Sequence, residues 1–191
     1  MATLGAGLEM ALLYHVSSEE GIERFEPRDP PSVVAGVDEP CVWAIDDANL
    51  VNYLLPRDCP RVTFYPNSTT SEEDLSLLGG PFPQAKRLIA IEDIWLERAL
   101  TEALWIYTFE AGNFEHLDAG AGNLISREAV VPIDCLRLEV PLFELVKRDV
   151  ELRIVPSLWP LHDAVIKANV QFSIIRMRNA KPRNTQNSAE S

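Results

Sequence analysis

His15 ends an apolar run and is followed at once by a polar cluster, "LLYHVSSEEG". An imidazole at a strand end beside hydroxyls has two chemical uses: it can donate a hydrogen bond to a sugar hydroxyl, or take a proton as a general base. The plain alternative is a packed histidine bonded to a neighbouring carbonyl. Tyr53 lies in "DDANLVNYLLP", where Leu50, Tyr53 and Leu54 recur at i, i+3, i+4. Its ring could offer a flat face to a planar heterocycle, or simply fill the core. "SRE" sets Arg127 and Glu128 side by side after the loop "DAGAGN". In a regular strand the two would point to opposite faces, so both line one pocket only if the strand bulges. Of Arg24, Arg28, Arg57 and Arg61, one or two could clamp a diphosphate, against the ordinary surface role of arginine. Trp159, His162, Arg176 and Arg178 form a further cluster, and the arginines with Lys181 and Arg183 beyond make the one short basic stretch. It suits a phosphate, an acidic partner, or the C-terminal end of a helix.

These residues need elements to hold them. "MALLYHV", "CVWAI", "RVTFY", "RLIAIE", "LWIYTFE" and "VELRIVP" read as short strands bounded by turn formers. "LISRE" and "VVPIDCLRLEV" read as extended pieces. Helices are predicted in "SSEEGIERF" after a Ser17 cap, after Asp46 or Asp47 up to Pro56, in "SEEDLSLL", in "DIWLERALTE" and in "PLFELVKRD". The longest helical stretch is expected from Ser157 through "RMRN", and "AGNFEHLDAGAGN" is expected to be loop. Short strands broken by short helices without regular βαβ alternation give an α+β fold: a bent, mostly antiparallel sheet with a helical C-terminal section. Residues 1–9 read as a flexible leader, 10–179 as one domain, and 180–191 as a disordered polar tail.

Composition narrows the partners. Apolar residues make up 47% of the 191, enough for a real core, and the net charge is −12. Such a chain repels the phosphate backbone of nucleic acid and anionic membranes, so bulk nucleic-acid binding and membrane association are not expected. A small-molecule or nucleotide ligand on a local basic patch is compatible with that charge; the oligomeric state is not legible. The three cysteines form no CxxC pair, which suits reduced thiols in a cytoplasmic protein. No P-loop, GxGxxG, HExxH or GxSxG occurs. The pairs Asp46–Asp47 and Glu72–Glu73 read as helix caps, and no metal site is expected.

The order "LYHVSS", "VWAIDDANLVNYLL", "RVTFY", "LISREAVVPIDCLRLEV" resembles the ADP-ribosyltransferase-like superfamily over about residues 11–138. The small rifampin ADP-ribosyltransferases are similar in layout, and RNA 2′-phosphotransferases are a second relative. The resemblance implies NAD as cofactor and a transferase activity. His15 would bond the NAD ribose, with Val16 and Ser17 beside it and the Val16 backbone facing the nicotinamide amide. Tyr53 would stack on the nicotinamide, with Tyr65 or Trp43 as alternatives, and Arg127 would contact the cofactor. Glu128 would take the third catalytic position, with Asp118 as the alternative acid and His116 in the same loop. The chain departs from the pattern at Val16, where the family places Gly. As a whole the sequence is also similar to a bacterial family of unknown function in which "LYHVSEE", "NYLLPRDCPRVTFY" and "PSLWPL" patterns recur, over most of residues 11–179. A non-catalytic ligand- or protein-binding module that keeps the fold is the other function these residues allow.

Overall fold

In a computed structural model of the chain the structure describes residues 11–30, 37–79, 85–118 and 122–183. The leader and most of the tail, 1–10 and 184–191, lie outside them. The described residues form a mixed α+β fold with two sheets, where the sequence suggests one bent sheet. The chain clusters into two compact units, Met1–Leu50 with Trp105–Leu138, and Val51–Leu104 with Glu139–Ser191.

The first unit carries β1 (Leu12–Ser17), β2 (Val42–Ile45), β5 (Leu104–Glu110), β6 (Glu115–Asp118), β7 (Asn123–Ser126) and β8 (Asp134–Leu138), in the spatial order β6-β7-β2-β1-β5-β8. Alternation along these strands puts Leu13, Val42, Ala44, Tyr107, Phe109 and Leu124 on one face, where Phe25 and Val130 close over them. The lid is held by a backbone bridge: Phe25 N–H donates to Val130 O at 2.8 Å and Val130 N–H to Phe25 O at 3.0 Å. Phe25 meets Tyr107 and Phe109 edge-on, with ring centroids 5.1 and 5.2 Å away. The helix predicted over "SSEEGIERF" does not form. Gly21 has φ +72°, which a right-handed helix cannot use, and the Tyr107 hydroxyl bonds the backbone on both sides of it, donating to Glu19 O and accepting from Ile22 N–H. "EHLD", expected as loop, pairs with β7 as β6.

The short α1 (Asp47–Leu50) starts on Asp46, whose carboxylate accepts the Asn49 N–H at 2.8 Å. Gly122 packs so close to this cap that an added Cβ would fall 2.2 Å from Asn49 Nδ2 and 2.6 Å from Asp46 Oδ2. With φ +65° as well, the turn into β7 accepts only glycine.

The second unit holds β3 (Arg61–Tyr65), β4 (Arg87–Glu92), β9 (Val150–Val155) and β10 (Gln171–Ile175), in the order β10-β3-β4-β9, all antiparallel except β4 with β9. Its helices are α2 (Glu72–Leu77), α3 (Leu96–Thr101), α4 (Leu142–Lys147) and α5 (Trp159–Lys167). Val62, Phe64, Leu88 and Ala90 form one face of the sheet, and Leu158 and Val165 of the α5 region seal it. The long C-terminal helix stops at Lys167. Ala168 turns extended at φ −81°, ψ 149°, and the next residue is pinned by a loop: Asn169 N–H donates to Asp74, Asn169 Nδ2 to Thr69, and Thr70 Oγ1 to Asn169 O. The β-branched and aromatic run "VQFSII" then pairs with β3, the environment such residues prefer. α2 carries a full capping box between Ser71 and Asp74.

Glu92 is fully buried in this unit. Its carboxylate accepts the Leu158 N–H at 3.1 Å, at the start of α5, and the Lys181 N–H at 2.9 Å. Further bonds tie residues 181 and 183 to this unit: Trp159 Nε1 donates to Lys181 O at 2.7 Å, and Arg183 makes a two-point ion pair with Asp163.

Glu92→Gln keeps the shape but turns one acceptor into a donor facing a buried N–H. It should cost about 1–3 kcal/mol in urea unfolding. Bonds from Asn169 N–H and then from Ser71 hold the Asp74 carboxyl below its ordinary value. Its contribution is present above the unfolded pKa of about 3.9 and is lost as pH falls through the lower folded value. Asp74→Asn should therefore be less stable than wild type at neutral pH, and the gap should narrow in acid, read from urea midpoints at about pH 7 and about pH 3.

Candidate functional site

β1 is paired very unequally with its two neighbours. Against β5 it is in register along its whole length, Leu12 with Glu110 through Ser17 with Trp105. Against β2 the register is the single pair Tyr14–Ile45. Asp46 N–H donates to Gly122 O on the β7 side. Backbone groups alternate along a strand, so Trp43 and Ile45 direct theirs toward β1, and Tyr14 and Val16 direct theirs toward β2. Beyond Tyr14 the ladder opens. The Trp43 carbonyl is met by a side chain, His15 Nδ1, at 2.8 Å.

A carbonyl only accepts, so this bond fixes Nδ1 as the protonated nitrogen of the neutral ring and leaves Nε2 as an acceptor. The half-buried His15 ring lies 4.9 Å from that of Phe25, tilted by 57°. The imidazole is oriented from two directions, by a backbone carbonyl and by an aromatic face. Ser17 Oγ accepts the Glu19 N–H at 3.0 Å and starts the turn that leaves the strand.

The registers extend this row across the sheet. Val42 pairs with Ser126, so the His15–Ser17 end of β1, the start of β2 and the end of β7 lie at the same end of the sheet. Glu128 follows two residues past β7. The buried Ser126 Oγ turns the chain there, donating to Glu128 O at 3.0 Å and accepting the Glu128 N–H at 3.2 Å. Arg127 and Glu128 are both exposed in this bend, so the strand alternation that would separate them does not apply. Together with Gly112, Phe114, Glu115 and Ser126 they border an open hollow of about 340 Å³. Arg127 already has carboxylates: Glu115 bonds its Nη1, and Glu39 stands 3.6 Å from its Nε. Asp118, the alternative acid, pairs with Asn123, at the opposite end of β7 from Ser126. His116 lies between, exposed on β6.

The stacking candidates fall elsewhere. Trp43 is on the other face of the sheet from His15, packed with Val37, Cys41 and Ile125. Tyr53 and Tyr65 belong to the second unit. Tyr53 sits in a 3-10 turn (Val51–Tyr53), half-buried, with the Arg61 guanidinium 5.9 Å from its ring centroid. Burial, outweighing Arg61 and Arg176, pushes its phenol up. Tyr65 carries Arg87 over its ring at 4.4 Å. His162 lies against Trp159 and bonds Asp163 at 2.9 Å. Among the described residues no group of three or more His, Cys, Asp or Glu could hold a metal, and no helix is long and apolar enough to cross a membrane. Sequence patterns gave no warning that Arg61 is buried.

A family model described as "Family of unknown function (DUF6886)" matches residues 14–180. The chain belongs to DUF6886. No curated protein and no solved structure matches it. The match to DUF6886 begins on Tyr14, the last β1 residue in register with β2, and takes in both His15 and the Glu128 bend.

Tyr107→Phe keeps the ring packing and removes both hydroxyl bonds to the Glu19–Ile22 turn. It should cost about 1 kcal/mol and speed exchange of the Ile22 amide, measured by NMR, with the β5 amides unaffected.

Proposed function

We propose that the protein is an ADP-ribosyltransferase-like transferase that binds NAD or a related nucleotide at the His15–Glu128 end of the six-stranded sheet. The observation that carries this reading is the opening between β1 and β2 after Tyr14. A gap in a ladder leaves main-chain donors and acceptors directed into it, which suits an amide-bearing ring. Val16 fits better than its side chain suggests: strand side chains stand perpendicular to the sheet, so its branched Cβ leaves the in-plane approach to the backbone clear. His15, held through Nδ1, would contact a ribose hydroxyl through its imidazole.

Bound NAD would supply an ADP-ribosyl group through loss of nicotinamide. On this chain Glu128 is the carboxylate that can face the positive charge developing on the sugar, or orient the incoming nucleophile. β7 is two strand spacings from β1, roughly 10 Å, a span a nucleoside can bridge. The three free thiols suit a cytoplasmic setting. A second reading, a binding module without turnover, draws support from Arg127, whose charge is already answered by Glu115 and Glu39.

Thermal melting with NAD tests the site. At a hundredfold excess over Kd, wild type should gain about 2.7 kcal/mol, and His15→Ala should fold but lose the gain. Nicotinamide release that falls in Glu128→Gln while the NAD shift persists separates the transferase from the binding module. An unshifted wild-type melt at millimolar NAD rules out the NAD transferase and favours a module for another ligand or a protein.

A further inference from the structure

Arg61 is an unusual cation. It is 2% exposed in a chain with 29 carboxylates, yet among the described residues none of them pairs with it. Nη1 donates to two carbonyls of the preceding loop, Pro56 O at 3.2 Å and Cys59 O at 3.1 Å. That occupies one end of the guanidinium. The other edge, Nε with Nη2, is the edge that forms two parallel bonds with an oxyanion, and there the buried Nε has no hydrogen-bond partner among the described residues.

The neighbours do not neutralise it. Cys59 is buried, and its thiol is pushed up to about 12, so it stays protonated near neutral pH. Tyr53, likewise raised by burial, remains a phenol. Among the described residues the charged side chain that acts on Arg61 is also positive, whereas Glu92 and Glu102 act on Cys59. Ile175, the last residue of β10, pairs with Arg61, and Arg176 follows it in the left-handed conformation at φ 56°, an uncommon backbone state for a side chain of this size. Burial first, and Arg176 as well, bring Arg61 down to about 10, at which it is still charged at neutral pH. Among the described residues neither of these two guanidinium groups at one strand end, one of them desolvated, has a carboxylate partner. A buried cation is normally paired.

We propose that Arg61 and Arg176, at the adjoining ends of β3 and β10, bind the phosphoryl group of a small phosphorylated molecule. The Nε–Nη2 edge of Arg61 supplies the fork and Arg176 the second charge, matching a dianion better than a monovalent carboxylate. Tyr53 backs the Arg61 guanidinium with its ring. The proposal rests on the second unit alone and does not depend on the NAD reading.

The test is thermal melting of the full chain in sodium phosphate, in ribose 5-phosphate, and in sodium chloride at matched ionic strength. Saturating ligand should raise the wild-type Tm by roughly 2–4 °C over chloride. Arg176→Asn removes the second charge while tolerating left-handed backbone. It should melt no lower than wild type in chloride and lose most of the rise. Arg61→Met should lose the rise as well, but it also unbonds two carbonyls, so Arg176→Asn is the deciding variant. A larger rise with ribose 5-phosphate than with inorganic phosphate supports a phosphorylated small molecule; the reverse order overturns that choice in favour of free phosphate. No rise over chloride overturns the site. An equal rise in wild type and Arg176→Asn does so too, because phosphate strengthens apolar burial in general.

Discussion

Inside a β-sheet every main-chain carbonyl must be met, and at Trp43 the partner is an imidazole instead of the next strand. Around that bond the first unit separates into two regimes. On one side of β1 the ladder to β5 is complete, and it carries Leu13, Tyr107 and Phe109 into the aromatic core under Phe25. On the other side the strands part after one residue pair, and sheet geometry stops dictating what fills the space. A continuous ladder there would bury the main chain of Val16 as ordinary structure. The side-chain bond keeps β2 in reach of β1 while leaving an edge between them, and it selects which imidazole nitrogen carries the proton. Stability and any binding role of His15 are thus tied to the same atom.

The second unit handles polar groups by enclosing them. Glu92 is wholly buried yet satisfied by two backbone donors, so it joins the start of α5 to Lys181. Arg61 is nearly as buried and only half satisfied. The contrast matters because burying a charge is costly in proportion to what is left unpaired. One of these side chains is explained by the fold around it, while the other has an edge that the fold does not use.

Most strands were legible because they are short apolar runs between turn formers, and "RLIAIE", "RVTFY" and "LWIYTFE" all pair where the pattern puts them. The failures have physical causes. "SSEEGIERF" has the local signature of a capped helix, but a tyrosine hydroxyl far along the chain and a left-handed glycine override it. "ANVQFSII" continues a helical run by composition, and only the Thr69–Asp74 loop, distant in sequence, bends it into β10. At the site, the turn past Ser126 is a serine bonding its own neighbourhood, so strand alternation wrongly separates Arg127 from Glu128. Burial of Arg61 follows from which face of β3 is enclosed, and no window of residues around it carries that information.

The bond between Glu92 and the Lys181 amide has a practical meaning for anyone shortening this polypeptide. The residues matched by DUF6886 stop at 180, one position before the amide that satisfies a sealed carboxylate. A chain cut at that boundary would also lose the carbonyl bonded by the Trp159 indole and the arginine lying on its ring. Lys181 to Arg183 look like dispensable polar linker, yet their bonds to Glu92, Trp159 and Asp163 tie them to the start of α5, and a shortened chain needs to keep them.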